Sequence, residues 1–414
     1  MVEAPPKRSL PPVRGVRPQP TTALTWTASL GDTRSRVAVF QPYLPGYRIA
    51  FFQRLRDALA HSGLTLEIYV SSKDSTSGDA SDAMEARLVT DPLARLMGDR
   101  LHFRSEVLRV ARDPHVAMVI IEQAAKYLDS VPLLTMSRRA PVGVWGHGGL
   151  YTNHRYVPAR VRLFMSRRAD WSFVYTQSGH DYLIQHGVPH SRISVLNNTI
   201  DTGILKEELA CIDERDIATF RETMSLVEGR TTLYLGRLDA DKDIDFLLAS
   251  TRRTAQLLPG FTLLVGGDGP QAGEVRSAVS AGAPIRYLGR LDGRSKALAI
   301  RSSSAITIPG GVGLVAVEAL VSGRPIITRD NHSHGPEADY LNRETQSVWL
   351  PSDCTPVAYG AAVASLLTAT GLDRMQRACA QGAEAFCIDR MAATFHDGVL
   401  HCVQSGQKRS HGTA

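Results

Sequence analysis

The sequence predicts an α/β protein built from two doubly wound, Rossmann-like domains that face each other across a cleft. A chain of 414 residues is too long for one hydrophobic core and suits two domains of ordinary size. From Arg36 onward, short apolar segments alternate with segments of helical periodicity, which is typical of repeated βαβ units around a parallel sheet. Turn residues cluster at 197–229, and a second α/β series begins after them.

Each series contains five predicted strands. Those of the first series are 36–40, 64–70, 116–121, 142–145 and 171–175, and those of the second are 232–235, 261–265, 285–288, 305–308 and 325–328. We therefore expect an N-terminal domain at 34–200, a linker at 201–229, a second domain at 230–390, and a C-terminal helix and tail at 391–414.

Composition places the chain among cytoplasmic globular proteins. Residues 1–33 are rich in proline and arginine and lack the apolar core of a signal peptide, so we expect a disordered basic tail. Five irregularly spaced cysteines argue against both a disulfide framework and a zinc site. No apolar run approaches the roughly 18 residues of a membrane span. Peripheral association with the inner membrane face stays open.

A cluster of arginines stands out in a chain whose net charge is only +6. Its members alternate with apolar residues and are Arg155, Arg160, Arg162, Arg167 and Arg168. The cluster is either the solvated face of a helix or a patch that touches an anionic membrane or acceptor. We expect no nucleic-acid partner, because no helix-turn-helix, zinc finger or aromatic RNA-binding motif is present.

The strand at 232–235 is followed by Gly236, Arg237 and, five residues later, Lys242. Open α/β sheets bind ligands beyond the carboxyl ends of their strands, so two cations there predict a pyrophosphate ligand. Asp239 and Asp241 leave open the alternative of a solvated surface loop. They also form a D-x-D pair, but the flanking cations disfavour a metal ion.

Glycine-rich loops follow two further strands of the second series. The loop 309–314 leads into a helix that carries Glu318, and such a helix start suits a phosphate while the carboxylate suits a ribose. The other loop, 266–270, contains a loose dinucleotide fingerprint that begins at Gly267. Because Pro270 leaves little glycine-lined room before the helix, we disfavour an NAD enzyme.

These motifs, taken in order, resemble glycosyltransferase family 4, whose members are retaining enzymes of the GT-B fold. The matching segments are Gly236-Arg237-Leu238 with Lys242, Gly267-Asp268-Gly269-Pro270, Leu288-Gly289, Gly313-Leu314 with Glu318, and Gly323-Arg324-Pro325-Ile326-Ile327. The resemblance implies transfer of a sugar from a nucleoside-diphosphate sugar to an acceptor hydroxyl, with retention. The acceptor would be a glycan, a glycolipid or a small molecule, and no cofactor or obligatory metal is expected.

The resemblance also implies roles for individual residues. Donor-binding residues would be Gly46, Arg237, Lys242, Gly267, Leu291, Gly313, Leu314 and Glu318. Arg237 and Lys242 would hold the diphosphate, and Glu318 the ribose. Tyr43, Arg48 and His147 would lie on the acceptor side, with His147, Arg237 and Lys242 as the catalytic set. A second interpretation of His147 is a structural residue that caps the turn after Trp145.

One position departs from the family, because Gly310 stands where a glutamate usually lies eight residues before the one matching Glu318. The chain could be a branch that reads its donor through backbone groups of the loop 310–314, where a side chain would crowd the sugar. It could instead be a non-catalytic GT-B protein, or a GT-B epimerase, which needs extra acid/base carboxylates.

Two motifs further along receive structural interpretations. His332 and His334 lack a third ligand for a metal site. Pro336 and Glu337 are interpreted as the start of a helix, with proline at its first position and an acid in its first turn.

Overall fold

The structure is a computed structural model, and it describes residues 35–71, 84–91, 93, 100–149, 156–331 and 333–411. The predicted basic tail at 1–33 lies outside these residues. So do Arg155 of the arginine cluster and His332 of the histidine pair.

The first domain is organised around a parallel sheet. Its strands are β1 (Arg36–Gln41), β2 (Thr65–Val70), β3 (Arg87–Leu88), β4 (Val116–Glu122), β5 (Val142–Gly146), β6 (Trp171–Val174) and β7 (Ile193–Val195). They lie in the order β3-β2-β1-β4-β5-β6-β7. The central strands are continuous buried apolar runs, as expected where helices cover both faces of a sheet.

The second domain contains another parallel sheet. Its strands are β8 (Thr231–Leu235), β9 (Thr262–Gly266), β10 (Ile285–Gly289), β11 (Ala305–Thr307), β12 (Ile326–Arg329) and β13 (Ser347–Leu350). They lie in the order β10-β9-β8-β11-β12-β13. In both sheets the strand order reverses beside the first strand, which places a ligand crevice at the carboxyl ends of the neighbouring strands.

Helices connect the strands. They are α1 (Ile49–His61), α2 (Ser105–Val110), α3 (Ser130–Thr135), α4 (Tyr156–Arg168), α5 (Gln177–Gln185), α6 (Thr202–Ala210), α7 (Glu214–Met224), α8 (Ile244–Leu257), α9 (Ala272–Ser280), α10 (Gly293–Arg301), α11 (Val315–Val321), α12 (Pro356–Thr368), α13 (Leu372–Gly382) and α14 (Ile388–His411). Within the described chain, no helix is long and apolar enough to cross a membrane.

The prediction of two doubly wound α/β domains is confirmed. All ten predicted strands are present, with ends that differ by at most one residue. The sequence pattern missed β3, β7 and β13. These strands lie at sheet edges and are short or only partly buried, so they lack the continuous apolar run that marks a central parallel strand.

The stretch interpreted as a linker, 201–229, folds into α6 and α7. The turn residues that suggested a linker are helix caps: the Asp201 carboxylate accepts from Gly203 N–H, and Asp213 forms a capping box with Asp216. Apolar residues of both helices pack against β8 and β9 of the second domain. Asp and Gly are common both in turns and at helix starts, and here they lie at helix starts.

The C-terminal helix α14 returns to the first domain. Its residues Ile388, Met391 and Phe395 belong to the same buried cluster as Phe51 and Trp145. The first domain is therefore assembled from both ends of the described chain.

Candidate functional site

A cavity of about 610 Å³ lies in the cleft, where loops from both sheets meet. The first domain contributes the loop after β1, and the second contributes the loops after β8, β10 and β11. The predicted site residues that line this cavity are Tyr43, Gly46, Arg237, Lys242, Gly313, Leu314 and Glu318. Parallel strands place all these loops at the same edge of their sheets, so residues far apart in sequence share one cavity.

Two cationic side chains reach this cavity from the loop after β8. Arg237 is half exposed, and its Nε lies 2.8 Å from Asp239 Oδ2. Lys242 Nζ donates to Gly311 O at 2.6 Å and lies 3.1 Å from Asp241 Oδ2. The aspartates that left a surface-loop interpretation open thus pair with the cations, yet both cations border the cavity. An incoming anion would compete with these carboxylates for the same positive charges.

A third cation, Arg290, also lines the cavity and was not among the predicted site residues. Its sequence signal was present, because a glycine directly precedes it where a strand ends, as Gly236 precedes Arg237 after β8. Gly289 has φ 64° and Gly236 has φ 146°. Three cations around one cleft focus a positive potential and attract anionic ligands.

The glycine-rich loop 309–314 is fixed by hydrogen bonds to two other segments. Gly311 N–H donates to Asp241 O at 2.8 Å, and Gly335 N–H donates to Val312 O at 2.7 Å. With Lys242 Nζ bound to Gly311 O, the loop and its cation form one rigid unit. A ligand-binding loop held in this way is preorganised.

His334 also holds the glycine-rich loop 309–314 in place. Its Nδ1 accepts from Val312 N–H at 3.1 Å, and its Nε2 donates to Arg329 O at 2.8 Å. Both ring nitrogens are therefore engaged with backbone groups, and burial lowers the pKa of the imidazole. Within the described chain, no group of three or more His, Cys, Asp or Glu side chains is placed to hold a metal ion.

Gly310 packs against backbone rather than against open cavity. A Cβ at this position would stand 2.4 Å from Lys242 C and 2.5 Å from Asp241 O. A side chain would therefore meet the backbone of the cation-bearing loop first, and not the space expected for a sugar. Gly313, three residues on, has no neighbouring atom within 4 Å of such a Cβ. The loop requires glycine at 310 for close backbone packing and leaves 313 open.

Glu318 lies in the first turn of α11 and forms an ion pair with Lys296 of α10, whose Nζ is 2.9 Å from Glu318 Oε1. Both side chains are partly buried. A second cavity of about 450 Å³ adjoins the first, and the two share Gly46, Tyr47 and Glu318. Glu318 therefore stands between the cation-lined space and a more apolar one.

Gly267 and Leu291 lie behind the cavity. Gly267 has φ 147°, and a Cβ there would stand 1.8 Å from Gly236 O. Leu291 packs on Gly266, where a Cβ would lie 2.4 Å from Leu291 Cδ1. Neither residue is among those that line the cavity, and both support the loops that carry Arg237 and Arg290.

The predicted acceptor-side residues Arg48 and His147 meet at Tyr175. Arg48 is buried, its Nη2 donates to Tyr175 Oη at 3.0 Å, and its guanidinium lies 4.4 Å from the Trp145 ring centroid. The His147 ring centroid is 5.2 Å from that of Tyr175. The three side chains come from the loops after β1, β5 and β6, at the cleft edge of the first sheet.

The environment of His147 favours a neutral imidazole. Burial lowers its pKa to about 4, and the positive charges of Arg162 and Arg48 act in the same direction. At neutral pH this ring carries no charge, and one of its nitrogens donates a hydrogen bond while the other accepts one.

Gln123 fixes the loop that carries His147. Its Oε1 accepts from Gly148 N–H at 2.9 Å, and its Nε2 donates to Ser166 Oγ at 2.6 Å. On the other side, Gly179 approaches so closely that a Cβ there would stand 2.3 Å from His147 O. The loop is thus held between β4, α4 and α5, and the position of His147 follows from it.

The arginine cluster divides between two environments. Arg162 is largely buried and faces Glu122, whose pKa is raised by burial. Arg167 Nε donates to His186 O at 2.8 Å, and Arg168 lies 5.9 Å from the Phe164 ring centroid. Arg162 therefore does not belong to a solvated helix face, while Arg160, Arg167 and Arg168 are exposed.

Glu337 was interpreted as the acid in a first helical turn, and it does lie in the short 3-10 helix Pro336–Tyr340. Its side chain, however, is buried at the domain interface, where Glu337 Oε1 accepts from Asn198 Nδ2 at 2.6 Å. Burial raises the pKa of this carboxyl. No local pattern in the sequence distinguishes such a residue from a solvated helix start, because its neighbour lies in the other domain.

Two doubly wound domains, with cations and a glycine loop around the cleft between them, define a protein of the GT-B fold. Residues 229–369 match the family model described as "Glycosyl transferases group 1". Phosphatidyl-myo-inositol mannosyltransferase of Mycolicibacterium smegmatis is 33% identical over 124 residues, covering 28% of this chain and 32% of that protein. The chain therefore matches about a third of the length of such curated relatives.

Solved structures resemble the chain over most of its length. HepE of Anabaena, solved in complex with UDP-glucose, superimposes with a TM-score of 0.61 at 16% identity, covering 89% of this chain and 99% of that one. A glycosyltransferase of Rickettsia africae gives a TM-score of 0.63 at 13% identity, with coverage of 89% and 99%. The GT-B fold is thereby shown. Over residues 229–369 the chain is similar to group 1 glycosyl transferases.

Proposed function

We propose that this protein is a glycosyltransferase that moves a sugar from a nucleoside-diphosphate sugar to an acceptor hydroxyl, with retention of configuration. The observation that carries the proposal is the cavity in which Arg237, Lys242 and Arg290 surround one space beside Glu318. Three cations suit a diphosphate, and a carboxylate next to them suits the hydroxyls of a ribose. The resemblance of residues 229–369 to group 1 glycosyl transferases supports the same assignment.

The proposed chemistry is electrostatic. Negative charge accumulates on the leaving diphosphate as the bond to the sugar breaks, and Arg237, Lys242 and Arg290 are already placed around that space. Fixed charges of this kind need no reorganisation during the reaction and commonly contribute about 3 to 4 kcal/mol per donor. The departing phosphate would accept the proton of the acceptor hydroxyl, so the scheme uses no protein nucleophile and no metal ion.

The first domain would bind the acceptor at Tyr43 and His147, next to the buried Arg48. A neutral His147 can hydrogen-bond a sugar or acceptor hydroxyl in the cleft. Exposed Arg160, Arg167 and Arg168 would add affinity for an anionic membrane if the acceptor is a lipid, at about 1 kcal/mol per cation near the surface. The named activity of the mycobacterial relative on a phosphatidyl-inositol supports a lipid acceptor as one option.

A second candidate is a non-catalytic GT-B protein that binds a nucleotide sugar without transferring it. Gly310 is the observation behind it, because this position supplies no carboxylate. The close packing of Gly310 on the Asp241–Lys242 backbone favours the enzyme, since the glycine is needed to hold Lys242 at the cavity.

Release of nucleoside diphosphate tests the proposal. The full chain is incubated with UDP-glucose, UDP-galactose, UDP-N-acetylglucosamine or GDP-mannose, with and without lipid and glycan acceptors, and the anomeric configuration of the product is read by NMR. We expect turnover of one donor with retention. Binding of a donor without transfer or hydrolysis would instead support the non-catalytic alternative.

Calorimetry with UDP and GDP tests the ribose assignment. Glu318→Ala should weaken binding of the nucleotide by at least about tenfold, as expected for loss of a charged hydrogen-bond partner. Unchanged affinity would contradict the role of Glu318.

A further inference from the structure

A buried carboxylate, Glu337, stands beside the open part of the glycine loop. Three groups lie next to Gly335. A Cβ on this residue would lie 2.8 Å from Glu337 Oε2, 3.4 Å from Val312 O and 3.5 Å from Gly313 Cα. Gly313 lines the cation-bearing cavity. Glu337 is therefore a buried carboxylate that the second domain places next to Val312 and Gly313 of the glycine loop.

The same carboxylate faces polar groups of the first domain that lack partners. Arg48 Nη1 and Asn198 Oδ1 are buried and form no hydrogen bond within the described part of the chain. Arg48 lies close enough to Glu337 for its positive charge to act on the carboxyl, and Asn198 Nδ2 holds Glu337 Oε1 at 2.6 Å. A buried donor and a buried acceptor left unpaired each cost about 1 to 3 kcal/mol, so a ligand that satisfies both gains that energy.

The segment around Glu337 is tied firmly across the cleft. Tyr340 Oη donates to Tyr175 O at 3.0 Å and to Asn198 O at 3.2 Å. Tyr175 in turn binds Arg48 Nη2. The carboxylate, the arginine and the glycine loop are thus held in one arrangement, which is what selective recognition of a hydroxyl-rich ligand requires.

We propose that Glu337 binds hydroxyl groups of the donor's sugar, with Arg48 Nη1 donating to a sugar oxygen from the opposite side of the cleft. This inference rests on the proposed glycosyltransferase function and identifies a residue that recognises the donor's sugar. A sugar presents vicinal hydroxyls, and a carboxylate accepts two of them while an arginine donates to their oxygens. Glu337 then distinguishes the intact nucleotide sugar from the nucleoside diphosphate alone, which does not reach it.

The variant Glu337→Gln tests the inference, because the glutamine keeps the shape and an oxygen for Asn198 but loses the charge. The probes are UDP, GDP and the four nucleotide sugars named above, measured by calorimetry and by donor turnover on the full chain. We expect the affinity for the nucleoside diphosphate to stay within about twofold of wild type. The KM for the active nucleotide sugar should rise and its kcat should fall, together by at least about tenfold in kcat/KM, since a charge-assisted bond is lost.

Asp339→Asn is the matched control. Asp339 lies in the same short helix and also bonds across the cleft, to Ser178 Oγ, but it is exposed to solvent. This variant should change neither the affinity for the nucleotide nor that for the nucleotide sugar.

Gly335→Ala is a second test of the inference, because its Cβ would displace the Glu337 carboxylate without removing the charge. It should impair use of the nucleotide sugar in the same direction as Glu337→Gln.

Several results would overturn the inference. Equal kcat/KM for wild type and Glu337→Gln would remove Glu337 from sugar recognition. A parallel loss of affinity for the nucleoside diphosphate, or the same defect in Asp339→Asn, would make Glu337 a link between the domains. If wild type binds none of the probes, the proposed function fails as well. If it binds and uses a nucleotide sugar and Glu337→Gln binds and uses that nucleotide sugar equally well, only this inference fails.

Discussion

Arg237 is the residue on which the proposed leaving-group chemistry depends most directly. Its side chain is half exposed at the cavity and forms an ion pair with Asp239, and exposed ion pairs contribute little to stability. Lys242 differs, because its Nζ also holds Gly311 O and thereby the glycine loop. Both cations line the cavity, but Lys242 also supports the glycine loop.

We expect Arg237→Ala to lower kcat/KM for the true donor by at least about 100-fold, because one fixed charge on the leaving diphosphate is lost. Its melting temperature should stay close to that of wild type. Arg252→Ala, at an exposed arginine of the same domain, serves as the control and should leave turnover unchanged. Near-normal kcat/KM in Arg237→Ala would show that the diphosphate assignment is wrong.

The lowered pKa of His147 predicts that the stability of the protein depends on pH. This pKa is near 4 in the folded protein, against an ordinary value of 6.5. The unfolded chain takes up a proton at this position below pH 6.5, and the folded protein does so only near pH 4. The contribution of His147 to stability is therefore complete above pH 6.5 and is lost as the pH falls from 6.5 towards 4. Between pH 7.5 and 5 the loss should be about 1 to 2 kcal/mol.

The measurement is the free energy of unfolding by urea at pH 7.5 and pH 5, in wild type and in His147→Asn. Other groups that titrate in this range contribute equally to both proteins, so the difference between the two pH dependences isolates His147. Wild type should lose more stability on acidification than the variant. Identical pH dependences would mean that the imidazole is not kept neutral by its surroundings.

At the scale of elements, the loop 309–314 and the 3-10 helix Ala240–Lys242 act as one unit. Gly311 bonds to both Asp241 O and Lys242 Nζ, and Gly310 packs against the backbone between them. The position of a cation is thus coupled to the absence of a side chain in another loop. This coupling explains how the site can require glycine at 310 for reasons of packing.

Gly310→Ala should therefore be enough to disturb the site. Its Cβ would overlap backbone atoms of Asp241 and Lys242, and overpacking of this kind costs about 1 to 3 kcal/mol. Gly313→Ala is the matched control for stability, because open space surrounds its Cβ. Thermal unfolding should show a lower melting temperature for Gly310→Ala than for Gly313→Ala.

The larger Gly310→Glu substitution should likewise reduce transfer. A gain of transfer in Gly310→Glu would contradict this view and would indicate a decayed enzyme that the glutamate restores.

One physical rule explains which elements and residues can be predicted from the sequence and which cannot. Central parallel strands such as β4 are buried on both faces and reveal themselves as apolar runs, and charged residues at their carboxyl ends mark the cleft. The position of Arg237 and Lys242 at the cleft was predictable for that reason. The burial of Glu337 was not, because its environment comes from Asn198 in the other domain. Local patterns carry no information about which distant segment buries a side chain.

At the scale of the whole molecule, the chain crosses twice between domains. After the second sheet is complete, α14 returns and packs on the first domain. Phe395 is fully buried there and stacks on Phe173 with ring centroids 4.1 Å apart. It also touches Phe51 and Trp145, at centroid distances of 5.5 and 5.1 Å.

These contacts connect α14 to the acceptor side of the cleft. Trp145 lies two residues before His147, and its ring packs against the Arg48 guanidinium. Phe51 lies in the first turn of α1, directly after the loop that carries Gly46 and Arg48. The positions of the acceptor-side residues therefore depend on a helix that is contributed by the far end of the chain.

Phe395→Ala should cost about 3 to 5 kcal/mol of stability, as expected when a buried aromatic side chain is removed from a packed core. Arg390→Ala, at an exposed position of the same helix, should cost less than about 0.5 kcal/mol. The loss falls on the first domain, so Phe395→Ala should reduce transfer while nucleoside diphosphate binding to the second domain is retained. Urea unfolding and calorimetry with UDP and GDP measure both effects. Loss of nucleotide affinity together with transfer, at a urea concentration where Phe395→Ala is still folded, would show that α14 supports the second domain instead.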